Sequence, residues 1–331
     1  MLRAAVVAAT LDAAISCSSY SSPTDPSEST TLTYSSDPAA ALLVTSDLTN
    51  FWAAYDAGGR SGSTSQLQQL YLNKASAGLK DFINLRSVTA ASLAQMVGAY
   101  PRYFAAIRAH NLRLATDGQV VGRIRANYAK IQSLYPAAVF PPLTLLVGRF
   151  STGGTISNAG MLIGTEFYSL TPGVPTDELQ QFQRDNVKSL DSLPIIVAHE
   201  HVHIMQGLAA GIMAHANKNL LEQSLLEGSA DFVGELSSAG NINARLLQYA
   251  LPREPALWAE FKLAMHGTNV SQWLHNQGTA NGGVPGDLGY FIGYRIAQAY
   301  YTRMADKRAA LKDIIEMRDA DAFLTASGYS P

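Results

Sequence analysis

Between residues 46 and 134 the apolar positions recur at helical intervals, interrupted by short polar or glycine-containing joints. The periods cover about 47–56, 64–84, 88–115 with a break at Pro101, and 118–135, and they predict a series of helical hairpins. The texture then changes. Leu143–Phe150 and Gly160–Tyr168 are β-rich runs, joined by a Gly/Ser/Thr/Asn stretch that contains Gly153 and Gly154, and they predict a β-hairpin. Helical periods return at about 193–207 and 225–232 and continue over 242–251, 254–266, 289–305, 307–318 and 320–326. The expected fold class is therefore mainly α with a small β-hairpin or sheet (α+β), carried by one domain over residues 46–331.

The chain ahead of that domain follows a different pattern. Residues 1–17 have one basic residue, an apolar middle and small residues before Cys17, as an export signal does. Ala14-Ile15-Ser16-Cys17 resembles a bacterial lipoprotein cleavage box, although Asp12 interrupts the apolar middle and Ala14 stands where leucine is usual. The competing reading is a free cysteine in a tail. Residues 18–45, dominated by Ser, Thr and Pro as far as about Ala39, read as a flexible tether. Export to the periplasm or cell surface, with a lipid anchor at Cys17 as the membrane contact, is the corresponding expectation. Cys17 is the single cysteine, so no intramolecular disulfide can form.

Composition narrows the function classes. Hydrophobic residues make up 47% of the chain and charged residues only 15%, against about 25% in an ordinary soluble domain. A net charge of −2 gives no reason to expect nucleic acid as a partner. No apolar run approaches the ~20 residues of a spanning helix.

The chemistry concentrates in Leu193-Pro-Ile-Ile-Val-Ala-His-Glu-His-Val-His-Ile-Met-Gln-Gly207, which contains His199-Glu200-x-x-His203. On a helix, His199 and His203 lie one turn apart on one face and can aim two imidazoles at one metal ion. Glu200 sits beside them, able to act on a bound water without being a ligand. Ser192 suits the N-cap, Pro194 the first turn and Gly207 the stop. His201 points to the opposite side, either as a support for the site or at the surface. A second apolar stretch, Leu225–Phe232, carries Glu227 and Asp231 four apart, with Glu227 24 positions after His203. Two His and one Glu leave the fourth position of a tetrahedral Zn2+ open for water, which is the catalytic arrangement. Asp231 is placed to accept the second N–H of a ligand histidine. The competing reading, a solvated acidic stripe, is weakened by the apolar neighbours and by Gly228 and Gly234. Each of these costs an exposed helix about 1 kcal/mol relative to Ala.

His199-Glu200-x-x-His203 followed by Glu227-Gly-x-Ala-Asp231 resembles the gluzincin metallopeptidases, and within them families of zinc-dependent proteases that include gliding-motility-type lipoproteins. Gly289–Ile296 and Phe323–Tyr329 are also similar, so the likeness covers most of the chain after about residue 47. It implies a peptide or protein substrate, zinc on His199, His203 and Glu227, and Glu200 as general base toward a metal-activated water. It also implies a small sheet whose edge strand holds substrate, although a hairpin that only roofs the core fits the residues as well. Gluzincins often place a downstream Tyr or His on the oxyanion. Tyr290 and Tyr294 are the candidates here, with Tyr294 preferred because Gly293 leaves room beside it, and aromatic packing is the alternative for either. The rival function is a lipid-anchored scaffold or surface-assembly protein that keeps the fold without proteolysis.

Overall fold

A computed structural model describes residues 34–276 and 283–331. The export leader, Cys17 and most of the expected tether lie outside them. The tether's last dozen residues do not behave as one. Ser35 bridges Phe140, Arg125 donates to the Ala39 carbonyl, and Leu43–Val44 forms strand β1. The packed domain has therefore begun by Tyr34, because backbone groups there already have partners that a tether would leave to water.

The helical first half follows its apolar periods. It comprises α1 (Ser46–Ala57), α2 (Thr64–Gln66) running on into a π turn and a 3-10 turn, α3 (Ala77–Arg86), α4 (Ala90–Ala99), α5 (Pro101–Arg113) and α6 (Gly118–Leu134). Pro101 opens α5, where its missing N–H costs nothing. These helices enclose an aromatic cluster in which Phe51 meets Trp52 and Tyr71 edge-on at 5.0 and 5.3 Å.

The sheet departs from the expected hairpin. Strands β2 (Leu143–Leu146) and β4 (Gly160–Gly164) are parallel neighbours, and the stretch read as a turn supplies β3 (Gly154–Ser157), antiparallel to β4. The order is β1-β2-β4-β3. Both β2 and β4 are buried along their whole length, so they belong in the centre, as parallel strands covered on both faces do. The Gly/Ser/Thr-rich β3 takes the edge.

The second half contains α7 (Gln181–Asn186), α8 (Leu193–Ala209), α9 (Leu220–Ser238), α10 (Ala244–Ala250), α11 (Glu254–Ala264), α12 (Leu288–Arg303), α13 (Lys307–Ile315) and α14 (Ala320–Ser327). Helix α9 lies between α8 and α12. Against α12 the approach is close: a Cβ on Gly293 would stand 1.7 Å from the Ser224 carbonyl oxygen, and one on Gly228 would stand 2.1 Å from the Tyr294 backbone nitrogen. No helix among the described residues is long and apolar enough to cross a membrane.

Candidate metal centre

Helix α8 is buried over nearly its whole circumference, so its polar side chains need partners inside the protein. Its ends differ from the sequence expectation. Ser192 makes no capping hydrogen bond, because a 3-10 turn over Leu190–Ser192 feeds straight into the helix. Gly207 lies inside the last turn, and the helix stops at Ala210 in the left-handed region. Helix α9 opens on a reciprocal capping box between Asn219 and Glu222.

Where the two helices face each other, His199, His203 and Glu227 bring one ligand atom each to within 4.8 Å of one another, and all three are buried. The two Nε2 atoms are 3.1 Å apart. Glu227 Oε2 lies 3.6 Å from His199 Nε2 and 3.3 Å from His203 Nε2. A tetrahedral ion with bonds of about 2.0–2.2 Å holds its ligand atoms roughly 3.3–3.6 Å apart. The three residues can hold a metal ion. Burial by itself would raise the Glu227 carboxyl, but while His203 and His199 are protonated their charges hold it well below the usual range.

The supporting hydrogen bonds turn both imidazoles the same way. His199 Nδ1–H donates to Asp231 Oδ1 at 2.8 Å, and Asn243 Nδ2 donates to Asp231 Oδ2 at 2.9 Å. His203 Nδ1–H donates to Gln206 Oε1 at 2.7 Å. The other end of that amide is committed to the Leu226 carbonyl (3.1 Å) and Ser229 Oγ (2.9 Å), so Gln206 must present its oxygen to His203. With both Nδ1 atoms protonated, both Nε2 lone pairs point inward. Asp231 therefore stands where its spacing placed it. Sequence reasoning missed Gln206 and Asn243. The signal for Gln206 was a single amide one turn past His203 on an otherwise apolar helix, whereas Asn243 comes from a separate loop and gave no signal.

Glu200, 1% exposed, faces the edge strand. A Cβ on Gly154 would come within 2.5 Å of Glu200 Oε1, so only glycine lets the carboxylate lie over β3. At Gly234 the approach of α9 to α8 is also tight, since a Cβ there would stand 3.2 Å from the His199 backbone nitrogen. Glu200, His199, Gly153 and Gly154 line an open cleft together with Tyr168, Lys188, Asn243 and Tyr290.

The two tyrosines part company here. Tyr290 shares the cleft and lies nearly parallel to the His199 ring, with centroids 6.4 Å apart. Tyr294 packs edge-on against Phe232 at 5.5 Å, near the Glu235 carboxylate. Burial and the Glu235 carboxylate hold its phenol well above the usual range. The room that Gly293 was expected to leave beside Tyr294 is filled by the backbone of α9.

The remaining histidines and Glu166 lie away from the cleft. His201 is neither a support for the site nor at the surface. Its Nε2 donates to the Val139 carbonyl at 2.5 Å, and its ring packs against Tyr128 and Phe140. Burial pushes it down to about 4, against the opposing effect of that hydrogen bond. His266 sits at the surface, 3.8 Å from Asp321, and His215 pairs with Glu222. Glu166 is buried beneath the loop after β2 and accepts from the Gly148 and Phe150 backbone N–H groups at 3.1 and 3.0 Å. Burial raises it to about 7, against those hydrogen bonds. No protein-family model, curated protein or solved structure matches this chain.

Proposed function

We propose that this protein is a zinc-dependent peptidase of gluzincin type that acts after export. The observation that carries the reading is the pair of inward-turned Nε2 atoms, 3.1 Å apart and closed by Glu227, with each imidazole anchored at Nδ1 by a separate acceptor. A buried set of two imidazoles and one carboxylate is the donor chemistry of catalytic zinc. His199, His203 and Glu227 would hold the ion. When bound, it supplies a Lewis acid and lowers the pKa of water to about 7.

The chain's own residues do the rest. Glu200 takes the proton of the attacking water on its carboxylate and returns it to the leaving amine. Asp231 and Gln206 keep the imidazoles in one tautomer and one orientation throughout. Tyr290 O–H donates to the oxygen that gains charge in the transition state. The β3 edge beside Glu200 offers main-chain groups along which an extended peptide can lie.

The test separates binding from catalysis. Glu200→Gln should keep about one zinc per chain and lose turnover on a broad peptide library, while His203→Ala and Glu227→Ala should lose zinc as well. An empty site in Glu200→Gln, or full activity in it, would overturn the assignment. Stoichiometric zinc in the wild type with no cleavage of any peptide would favour the scaffold reading.

A further inference from the structure

One wall of the cleft carries a positive charge that the proposed mechanism leaves idle. Lys188 follows α7, and its backbone is fixed on both sides: its N–H donates to the Phe167 carbonyl at 2.7 Å, and its own carbonyl accepts from Leu170 N–H at 2.9 Å. The residue is half-buried and lines the same cleft as His199, Glu200 and Tyr290. Among the described residues its ammonium has no acidic partner within ion-pair distance. The charged neighbour that bears on it is Arg245 at the start of α10, another cation, and like Lys188 it pairs with no described carboxylate. Burial, and after it Arg245, brings Lys188 down to about 8.

A half-buried ammonium beside a second cation is unfavourable in the free protein. Arg123 and Arg295, by contrast, are paired with Asp191 and Glu254. Beside Lys188 that counter-charge is missing, and the open space that Lys188 lines is the cleft. Resting on the peptidase reading above, we propose that Lys188 is the specificity-determining group of the cleft and takes a carboxylate of the peptide substrate. A free C-terminus and an acidic side chain offer the same chemistry, a planar anion that accepts a charge-assisted hydrogen bond.

The experiment uses the zinc-loaded full chain and three blocked or unblocked peptides of one parent sequence. The first is neutral, acetylated and amidated; the second has a free C-terminal carboxylate; the third is amidated with one glutamate scanned along it. Cleavage efficiency is measured on the wild type and binding by calorimetry on the Glu200→Gln protein, so that recognition is read without turnover. One of the two carboxylate arms should be favoured about 10- to 100-fold over the neutral peptide. The arm that wins identifies the source: the free terminus for a carboxypeptidase mode, the glutamate for an internal acidic site. Lys188→Met should bring that advantage close to unity with zinc content and melting temperature unchanged, and Lys188→Arg should retain most of it. Equal handling of all three peptides, or an advantage that survives in Lys188→Met, would overturn the inference. Carboxylate-selective binding that depends on Lys188, with no cleavage by the wild type, would uphold it and refute the peptidase reading instead.

Discussion

Helix α8 carries three histidines within five residues, and its two faces treat them in opposite ways. All three are 2–3% exposed, so burial does not distinguish them. On the α9 face, His199 and His203 meet Glu227, Asp231 and Gln206, and their Nε2 lone pairs converge. On the other face, His201 meets Tyr128, Phe140 and one backbone carbonyl, which satisfies a single N–H and offers nothing for a cation to bind. The difference teaches that a buried histidine becomes a ligand through its second nitrogen. Where an acceptor holds Nδ1 and a carboxylate waits opposite Nε2, the ring is set for a metal. Where aromatic rings surround it, the ring is kept neutral and serves as packing.

The largest expected effect tests how far the metal face extends. Tyr290→Phe should lower turnover about 100- to 1000-fold, because a donor to the developing oxyanion is lost. Tyr294→Phe should leave turnover near wild type and cost at most about 1 kcal/mol of stability, since its phenol lies off the cleft near Glu235. Turnover and melting temperature measured in parallel decide it, and wild-type turnover in Tyr290→Phe would end the metal face at His199.

A smaller effect compares the faces directly. Asp231→Asn should weaken zinc binding about 10- to 100-fold, since the ring of His199 loses its charged acceptor. His201→Phe should leave zinc affinity unchanged. Competition against a chromophoric chelator measures both, and equal losses would mean that the two faces are not independent.

The smallest effect is on pH dependence. The folded His201 titrates near 4, below its ordinary 6.5, so the stability it contributes is whole above about 6.5 and is lost as the pH falls toward 4. Glu166 runs the other way. Folded, it titrates near 7, above its ordinary 4.5, so the folded protein gains stability as the pH falls from 7 to 4.5. In zinc-free protein, His201→Phe should therefore gain on wild type as the pH drops through 6.5 to 4, by about 1 kcal/mol per pH unit. Glu166→Gln should lose ground on wild type between 7 and 4.5. Denaturant melts at stepped pH give both differences, and parallel curves for wild type and either variant would refute that residue's part.

Local spacing alone was enough to read most of the helices and the residues of the candidate metal centre. Helical periodicity is a local signal, and four-residue spacing on a helix puts His199 with His203 and Glu227 with Asp231 whatever lies around them. What the sequence could not carry were the pairings between distant segments. Strands β2 and β4 became parallel neighbours, and the glycine-rich link between them became the edge, because both strands had to be buried on two faces. The same holds for His201, whose role depends on Tyr128, Val139 and Phe140 arriving from 61 to 73 positions away. It holds again for Tyr290 and Tyr294: the sequence favoured Tyr294, one helical turn on, and the close contact at Gly228 and Gly293 set the rotation of α12 against α9 the other way. That contact turned one phenol to the cleft and the other to Glu235, because a helix's rotation is fixed by the surface it packs against and not by its own spacing.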